Sequence, residues 1–197
     1  MPSLSLIRGL APIQTLLLQC LEEQVPAVYR HGQRVGLGAI QVGARLGLSP
    51  EALEILELAA GLHDLGKLLV PSFLAHKTIA FNREEYQVMQ RHALLGARLL
   101  ESHAGTEVLA QVALHHHERW DGKGYPGRLS GEQIPPMAQI TAVLDAYDAM
   151  TSDRYGGNHT QGEAASEILR CRGTQFSPVV VDAFMDAVST DCLNLER

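Results

Sequence analysis

Residues 49–67 read SPEALEILELAAGLHDLGK, and this stretch is the most informative for the fold class. The serine can cap a helix, the proline fits its first turn, and the glutamate that follows favours the positive end of the helix dipole. Apolar residues then recur at helical spacing and continue toward the pair His63-Asp64. Gly66 is expected to end this helix. The pattern predicts a core helix that carries two titratable side chains near its C-terminal end.

Two further helices are predicted from the same period of apolar residues. One runs from about residue 84 to 102 and places His92 on its apolar stripe. The other begins near residue 136, and its Asp145 and Asp148 share a face with small side chains that leave room for a metal. The segment just before it is rich in glycine and proline, which indicates a structured loop. Because no run shows the period-two alternation of a strand, the sequence predicts an all-α domain.

Composition and charge narrow the class of protein. At 197 residues, with 46% hydrophobic and 19% charged residues, the chain is expected to form one globular unit with a sizeable core. No apolar run is long enough to span a membrane, and the N-terminal run up to Cys20 lacks the features of an export signal. Three distant cysteines, which include Cys171 and Cys192, favour a reducing cytoplasm. The net charge of -6 argues against a nucleic-acid polymer as partner.

The domain organisation is predicted to be simple. Residues 1–24 form an N-terminal helical extension, and residues 25–197 form one domain. The extension is apolar enough to dock on a signalling partner or to form a homodimer, although packing onto the same domain is the preferred interpretation. An anionic substrate is repelled by the overall charge, so bound metals and a few local cations must attract it.

Taken singly, the histidines and aspartates have ordinary structural explanations. His92 could be a core histidine, and His31 could lie on a solvated face between two arginines. Asp145 could cap a helix or pair with Arg154. The remaining histidines, which get no functional role, are His76, His103, His115 and His159.

Taken together, these residues predict a metal centre. His63-Asp64 and His116-His117 each follow an apolar stretch, and His92 lies on an apolar stripe, so each would be costly to bury alone. A single metal centre explains all three cases, because it needs deprotonated ligands in a dry pocket. Imidazoles and carboxylates without cysteine suit iron or manganese.

At this point the residues resemble a known family. His31, His63-Asp64 and Asp145 are similar to the H…HD…D signature of the HD superfamily of metal-dependent phosphohydrolases. HDLGK, HHERWDGKGYP and LDAYDAMTSDR resemble the HD-GYP subfamily, and the resemblance covers roughly residues 31–182. It implies an HD-domain helical bundle with a structured GYP loop, which hydrolyses cyclic di-GMP to pGpG and often on to GMP.

The resemblance also implies roles for individual residues. Asp64 bridges two metal sites, and the implied ligands are His31, His63, Asp64 and Asp145 for one ion and His92, His116 and His117 for the other. Lys67 acts with Asp64 in catalysis, placed to meet a phosphate oxygen or the leaving group. The GYP loop, with Tyr125, shapes the pocket mouth. Glu118 and Asp148 are expected to orient ligand imidazoles, the usual task of such carboxylates.

Departures from the family pattern bear on metal count and substrate. Family members with a third metal carry a glutamate where this chain has Ala27, which favours two metal ions. The family's SDRPYK or SDRPYR run is SDRYGG here, so Arg154 remains while a second cation is missing. The predicted substrate contacts are Lys67, Lys123, Tyr125 and Arg154, and Lys123 and Arg154 could equally be exposed loop cations.

Three functions are therefore distinguished. The leading hypothesis is attack of a bimetal-activated hydroxide on a phosphodiester of cyclic di-GMP, in the cytoplasm. The second keeps the chemistry but changes the substrate to another cyclic dinucleotide or to pGpG. The third is a catalytically silent regulatory binding module, against which stands the presence of all seven ligand candidates and Lys67.

Overall fold

Helices account for the regular structure of the described residues, which are 12–77, 79–152, 159–190 and 193 of the computed structural model. Nine α-helices and two 3₁₀ helices occur there, and no strand does, as the sequence predicts. The α-helices are α1 (Pro12–Gln24), α2 (Pro26–Arg45), α3 (Pro50–Gly61), α4 (Ser72–Ala75), α5 (Arg83–Glu101), α6 (Glu107–His115), α7 (Pro136–Thr151), α8 (Gln161–Arg170) and α9 (Pro178–Ser189). The 3₁₀ helices are Leu65–Leu69 and Gly131–Gln133.

The three helices predicted from apolar spacing are present. Ser49 caps α3 by accepting from a backbone amide, as expected. The N-terminus of α5 is closed by a reciprocal capping box between Asn82 and Glu85, and this helix lies within one residue of its predicted bounds. α7 buries Ile140 and Leu144 on its predicted core side. The loop between α6 and α7 contains no regular element longer than a three-residue 3₁₀ turn.

The prediction that Gly66 ends α3 is wrong. The helix stops at Gly61, the chain turns through the histidine–aspartate pair, and Gly66 lies inside the 3₁₀ helix that follows. Its role is a close approach of two main chains: a Cβ atom on Gly66 would lie 1.9 Å from the carbonyl oxygen of His92 and 2.5 Å from the amide nitrogen of Gly96. A glycine can mark either a helix end or such a contact, and the sequence does not distinguish them.

Two large hydrophobic clusters share the helix α2. One packs α2 and α3 against α7, α8 and α9, with Phe184 fully buried at its centre. The other packs α1, α2, α3, α5 and α6 together around Leu62 and Leu100. α1, which falls in the segment predicted as an extension, buries Leu17 and Leu21 in this second cluster. The helices that carry the predicted site residues are thus held from both sides by apolar packing.

The structure describes only some of the remaining residues named in the sequence analysis. Arg154 and Cys192 lie outside the described residues. Cys20 and Cys171 are both free thiols. Within the described ranges, none of the helices has the length and apolarity that crossing a bilayer requires.

Candidate metal centre

The fold brings together the seven residues predicted as metal ligands, from five separate parts of the chain. α2 supplies one, the turn after α3 two, α5 one, the turn after α6 two, and α7 one; in this order they are His31, His63, Asp64, His92, His116, His117 and Asp145. Six of them form two groups whose candidate ligand atoms lie within 4.8 Å of one another, namely His31, His63 and Asp64, and His92, His116 and His117.

Asp64 lies between the two groups and faces both. Its Oδ1 is 3.3 Å from Nε2 of His92 and 4.0 Å from Nε2 of His116. Its Oδ2 is 3.6 Å from Nε2 of His63 and 4.0 Å from Nε2 of His31. The carboxylate is buried. One aspartate therefore presents a separate oxygen to each group of imidazoles, as a bridging ligand does.

His31 is flanked by a carboxylate at each ring nitrogen. Its Nε2 is 3.0 Å from Oδ1 of Asp145, and its Nδ1 donates to Oδ2 of Asp148 over 2.6 Å. Asp148 is held in turn by Arg34, whose Nε and Nη2 donate over 2.5 and 2.8 Å. Burial opposes charge on the His31 imidazole, but these two carboxylates outweigh it and raise its pKa to about 9.

Backbone carbonyls fix the orientation of three other imidazoles. Nδ1 of His63 lies 2.6 Å from the oxygen of Ala60, Nδ1 of His92 lies 2.6 Å from that of Met89, and Nδ1 of His116 lies 2.9 Å from a carbonyl one turn earlier. Because a carbonyl oxygen only accepts, each Nδ1 carries the proton. In this tautomer the lone pair of Nε2 faces the centre of the site.

The surroundings of these lone pairs test whether a metal fits. The buried Nε2 of His63 has no hydrogen-bond partner. The Nε2 atoms of His92 and His116 face each other at 3.3 Å with no proton available between them. Two facing lone pairs repel unless a cation lies within reach of both. The donor set, imidazoles and carboxylates without thiolate, is suited to divalent cations, so the residues present fit such ions.

The pKa shifts of three imidazoles and of Asp64 agree with ligand roles. Burial lowers the pKa of His92 to about 4 and that of His117 to about 3, and it lowers the pKa of His116 as well, with the neighbouring His117 adding to the effect. Burial would raise the pKa of Asp64, but Lys67 and the surrounding histidines lower it well below its usual range. At neutral pH these three imidazoles are neutral and the carboxylate is ionised, as metal binding requires.

Lys67 is placed against the centre of the site. Its ammonium donates to Oδ2 of Asp64, one turn earlier in the chain, and its side chain is mostly buried. The 3₁₀ helix therefore holds a cation directly beside the carboxylate that faces both groups of imidazoles.

The loop after α6 is anchored to the ligand segment. The ring of Tyr125 stacks on His117 with 4.8 Å between centroids, and burial raises the pKa of its hydroxyl. Glu118, adjacent to His117, accepts from the backbone amides of Gly127 and Leu129 over 2.5 and 3.1 Å. Its hydrogen bonds go to the loop, and its predicted role in orienting a ligand imidazole stays a prediction. Its carboxylate fixes the loop.

The profile of the HD domain family matches residues 15–180. Over 161 residues the chain is 38% identical to a cyclic di-GMP phosphodiesterase of Thermotoga maritima, which corresponds to 80% of this chain and 44% of the relative. It is also 42% identical over 147 residues to the cyclic di-GMP phosphodiesterase response regulator RpfG of Xanthomonas campestris, 73% of this chain and 39% of that protein. The chain belongs to the HD-GYP subfamily of the HD domain family.

Other comparisons extend this result. The HD-GYP chain is 33% identical over 159 residues to a 3′3′-cGAMP-specific phosphodiesterase of Vibrio cholerae, covering 79% of this chain and 30% of that one. A solved structure of a cyclic GMP-AMP specific phosphodiesterase from Vibrio cholerae has the same fold, with a TM-score of 0.69 at 21% identity over 92% of this chain and 49% of that chain. The chain spans less than half the length of the curated relatives it matches.

A cleft of about 930 Å³ opens beside the centre of this HD-GYP domain. One face of α5 and the loop of residues 122–128 line it, and His116, His117 and Asp145 reach its surface. Lys123 lines the cleft as well, but its side chain is 79% exposed and its ammonium lies 3.9 Å from Asp121. The structure therefore places Lys123 on the rim.

Sequence reasoning missed several residues at this site. Arg34 follows His31 by one helical turn, and this spacing is a usable signal for a shared contact. Arg91 and Arg128 line the cleft, yet nothing in the sequence separates them from ordinary surface cations. Tyr86 meets the edge of Tyr125 with 6.4 Å between centroids, a contact between distant segments.

Proposed function

We propose that this HD-GYP domain is a metal-dependent phosphodiesterase that hydrolyses cyclic di-GMP to pGpG and on to GMP. The observation that carries the proposal is the position of Asp64, whose two oxygens face two separate groups of imidazoles beside an open cleft. The relatives named as cyclic di-GMP phosphodiesterases, at 38% and 42% identity, support the choice of substrate.

The proposed cofactor is a pair of divalent ions, iron or manganese. One is held by His31, His63, Asp64 and Asp145, the other by Asp64, His92, His116 and His117. Such a pair, when bound, supplies acidity to water and neutralises charge on the phosphate oxygens. Two ions are proposed and not three, because the side chain of Ala27 offers no ligand atom where family members with a third metal carry a glutamate.

The chain's own residues prepare the reaction. The cleft admits the dinucleotide to the surface formed by His116, His117 and Asp145. Lys67, held at Asp64 in the structure, is the proposed cation for a phosphate oxygen or for the departing ribose oxygen. Tyr125, packed on His117, limits the mouth of the site and offers an aromatic face on which a base can stack. Arg154, which lies outside the described residues, remains a proposed phosphate contact.

A second substrate is favoured by a specific observation. The Vibrio cholerae relative at 33% identity is named as specific for 3′3′-cGAMP, and the run SDRYGG lacks the second cation of the family pattern. The alternative is therefore the same hydrolysis acting on a mixed cyclic dinucleotide or on pGpG.

The test is hydrolysis by purified protein loaded anaerobically with Fe²⁺ or Mn²⁺. Cyclic di-GMP, 3′3′-cGAMP and pGpG are supplied separately, and products are resolved by liquid chromatography with mass spectrometry. Cyclic di-GMP is expected to be consumed first to pGpG. Asp64→Asn and Lys67→Gln are expected to lower kcat by at least about a hundredfold. Asp186→Asn, an exposed aspartate on α9, serves as the matched control.

Three outcomes separate the alternatives. Turnover of 3′3′-cGAMP or pGpG without turnover of cyclic di-GMP replaces the first substrate by the second. Wild-type protein that holds its ions and hydrolyses none of the three is a binding module, and the enzyme proposal is then wrong. Metal content that is unchanged in Asp64→Asn contradicts the ligand assignment.

A further inference from the structure

Four cationic side chains line the cleft, and two of them have no anionic partner among the described residues. Arg119 is held by Asp121 through hydrogen bonds of 3.0 and 2.9 Å. The ammonium of Lys123 lies 3.9 Å from the same carboxylate. Within the described part of the chain, neither Arg91 nor Arg128 makes an ion pair or a side-chain hydrogen bond. Their charges are therefore available to a ligand in the cleft.

The two arginines belong to the two walls of the cleft. Arg91 lies on the cleft-lining face of α5, directly before the ligand candidate His92. Arg128 lies on the loop, and both side chains are exposed. The walls meet where Tyr86 contacts the edge of Tyr125. A ligand that fills the cleft thus touches the candidate metal ligands and both arginines.

The backbone of Arg128 is unusual. Its φ of 54° lies in the left-handed region that favours glycine. The neighbouring amides of Gly127 and Leu129 both donate to Glu118, so the conformation is imposed from both sides. A large side chain in a conformation that suits glycine, at the wall of a functional cleft, points to a task for that side chain.

We propose that Arg91 and Arg128 bind the second phosphate of a cyclic dinucleotide, the one that is not hydrolysed; this inference rests on the proposed function. Such a ligand carries two phosphodiester charges, and the protein's net charge of -6 repels it. The reacting phosphate meets the metal-binding residues, which leaves the other in the outer part of the cleft. Guanidinium groups suit it because they donate two parallel hydrogen bonds to phosphate oxygens. The pair selects ligands with two phosphates over simple diesters.

The experiment compares a substrate that has two phosphates with one that has a single phosphate. Cyclic di-GMP and bis(p-nitrophenyl) phosphate are hydrolysed by the metal-loaded wild type and by Arg91→Gln, Arg128→Gln and the double variant. Binding of cyclic di-GMP to the same proteins in EDTA is measured by calorimetry, which does not depend on turnover. Arg98→Gln is the matched control, because Arg98 is an exposed arginine two turns along α5 that does not line the cleft.

Each single variant is expected to raise KM for cyclic di-GMP and to weaken its binding by about tenfold or more. Hydrolysis of bis(p-nitrophenyl) phosphate is expected to stay within about twofold, and Arg98→Gln to match the wild type in every measurement. The inference is overturned if Arg91→Gln and Arg128→Gln both bind cyclic di-GMP as tightly as the wild type. It is also overturned if the variants lose activity equally toward both substrates.

The proposed function and this inference fail in different ways. A wild type that binds cyclic di-GMP through the two arginines without hydrolysing it supports the phosphate site and overturns the proposed reaction. A double variant that hydrolyses cyclic di-GMP as well as the wild type supports the reaction and overturns the phosphate site. A wild type that neither binds nor hydrolyses it overturns both.

Discussion

Asp148 joins His31 to Arg34: its carboxylate accepts 2.6 Å from Nδ1 of the imidazole and 2.5 and 2.8 Å from the guanidinium. Side-chain carboxylates hold the His31 ring, Asp148 at Nδ1 and Asp145 at Nε2, whereas His63, His92 and His116 are held at Nδ1 by backbone carbonyls among the described residues. The orientation of His31 therefore depends on residues that mutation can remove.

Removal of the Asp148 carboxylate is expected to weaken metal binding. Asp148→Asn replaces the charged acceptor of the imidazole and the guanidinium by a neutral amide. His31 then loses its fixed orientation, and the affinity for metal falls about 10- to 100-fold. Arg34→Gln is expected to have a smaller effect in the same direction. Titration with Mn²⁺ against a chelating indicator measures both. Arg45→Gln on the same helix, which loses an exposed pair with Asp186, is the control. Equal affinity in Asp148→Asn and the control contradicts the expectation.

Stability of the metal-free protein is expected to fall on both sides of neutral pH. Burial lowers the pKa of His92 to about 4 and of His117 to about 3, so the unfolded chain binds more protons as pH drops below about 6.5, and acid favours unfolding. The pKa of His31 is raised to about 9, so the stability that its protonated ring contributes is complete below about pH 6.5. That stability is lost as the pH rises to 9.

Urea unfolding in EDTA at pH 5, 7 and 9 measures this dependence. Each unit of pKa difference corresponds to about 1.4 kcal/mol. His92→Gln is expected to weaken the pH dependence of the free energy of unfolding on the acid side, and His31→Gln on the alkaline side. Substitution of the exposed His76 is the control and is expected to change neither. A wild-type free energy of unfolding that does not change between pH 5 and 7 is incompatible with neutral buried imidazoles.

The loop is expected to loosen when Glu118 loses its charge. The Glu118 carboxylate accepts hydrogen bonds from the backbone amides of Gly127 and Leu129. Glu118→Gln places an amide donor opposite one of these two donors. The free energy of unfolding should fall by about 1–3 kcal/mol, and amide hydrogen exchange at both positions should accelerate. Glu132→Gln alters an exposed glutamate of the same loop and should change neither quantity. Unaltered exchange in Glu118→Gln would show that other contacts hold the loop.

Sequence reasoning reached the ligand candidates and Asp148, which contacts His31, but not the backbone groups that hold the other imidazoles. His92 was identifiable because a polar residue on an apolar stripe is costly to bury without a partner. The partners of Glu118, by contrast, are backbone amides nine and eleven residues away, and backbone groups leave no trace in residue identity. Arg91 faces the cleft only because the loop folds back toward α5, a tertiary arrangement that no local pattern encodes. Gly66 was assigned the wrong role because two different structural needs select the same residue.

A side chain at Gly66 is expected to disturb both the fold and the metal site. Gly66→Ala puts a carbon 1.9 Å from the carbonyl oxygen of His92, so the 3₁₀ helix and α5 must separate. The free energy of unfolding should fall by about 2 kcal/mol or more, and bound metal per chain should fall with it, because Asp64 moves away from His92. Gly162→Ala, where an added Cβ meets nothing within 4 Å, is the control. Chemical denaturation and elemental analysis provide the two measurements, and full metal occupancy in Gly66→Ala would contradict the argument.

The backbone partners of His63, His92 and His116 have a consequence for how the domain can evolve. A main-chain carbonyl is present whatever residue occupies the position, so substitutions around these three imidazoles cannot abolish their hydrogen bonds. At His31 the supporting partner is itself subject to mutation. Natural variants are therefore expected to differ chiefly in affinity for the ion proposed near His31, and to differ little in affinity for the ion proposed between His92 and His116.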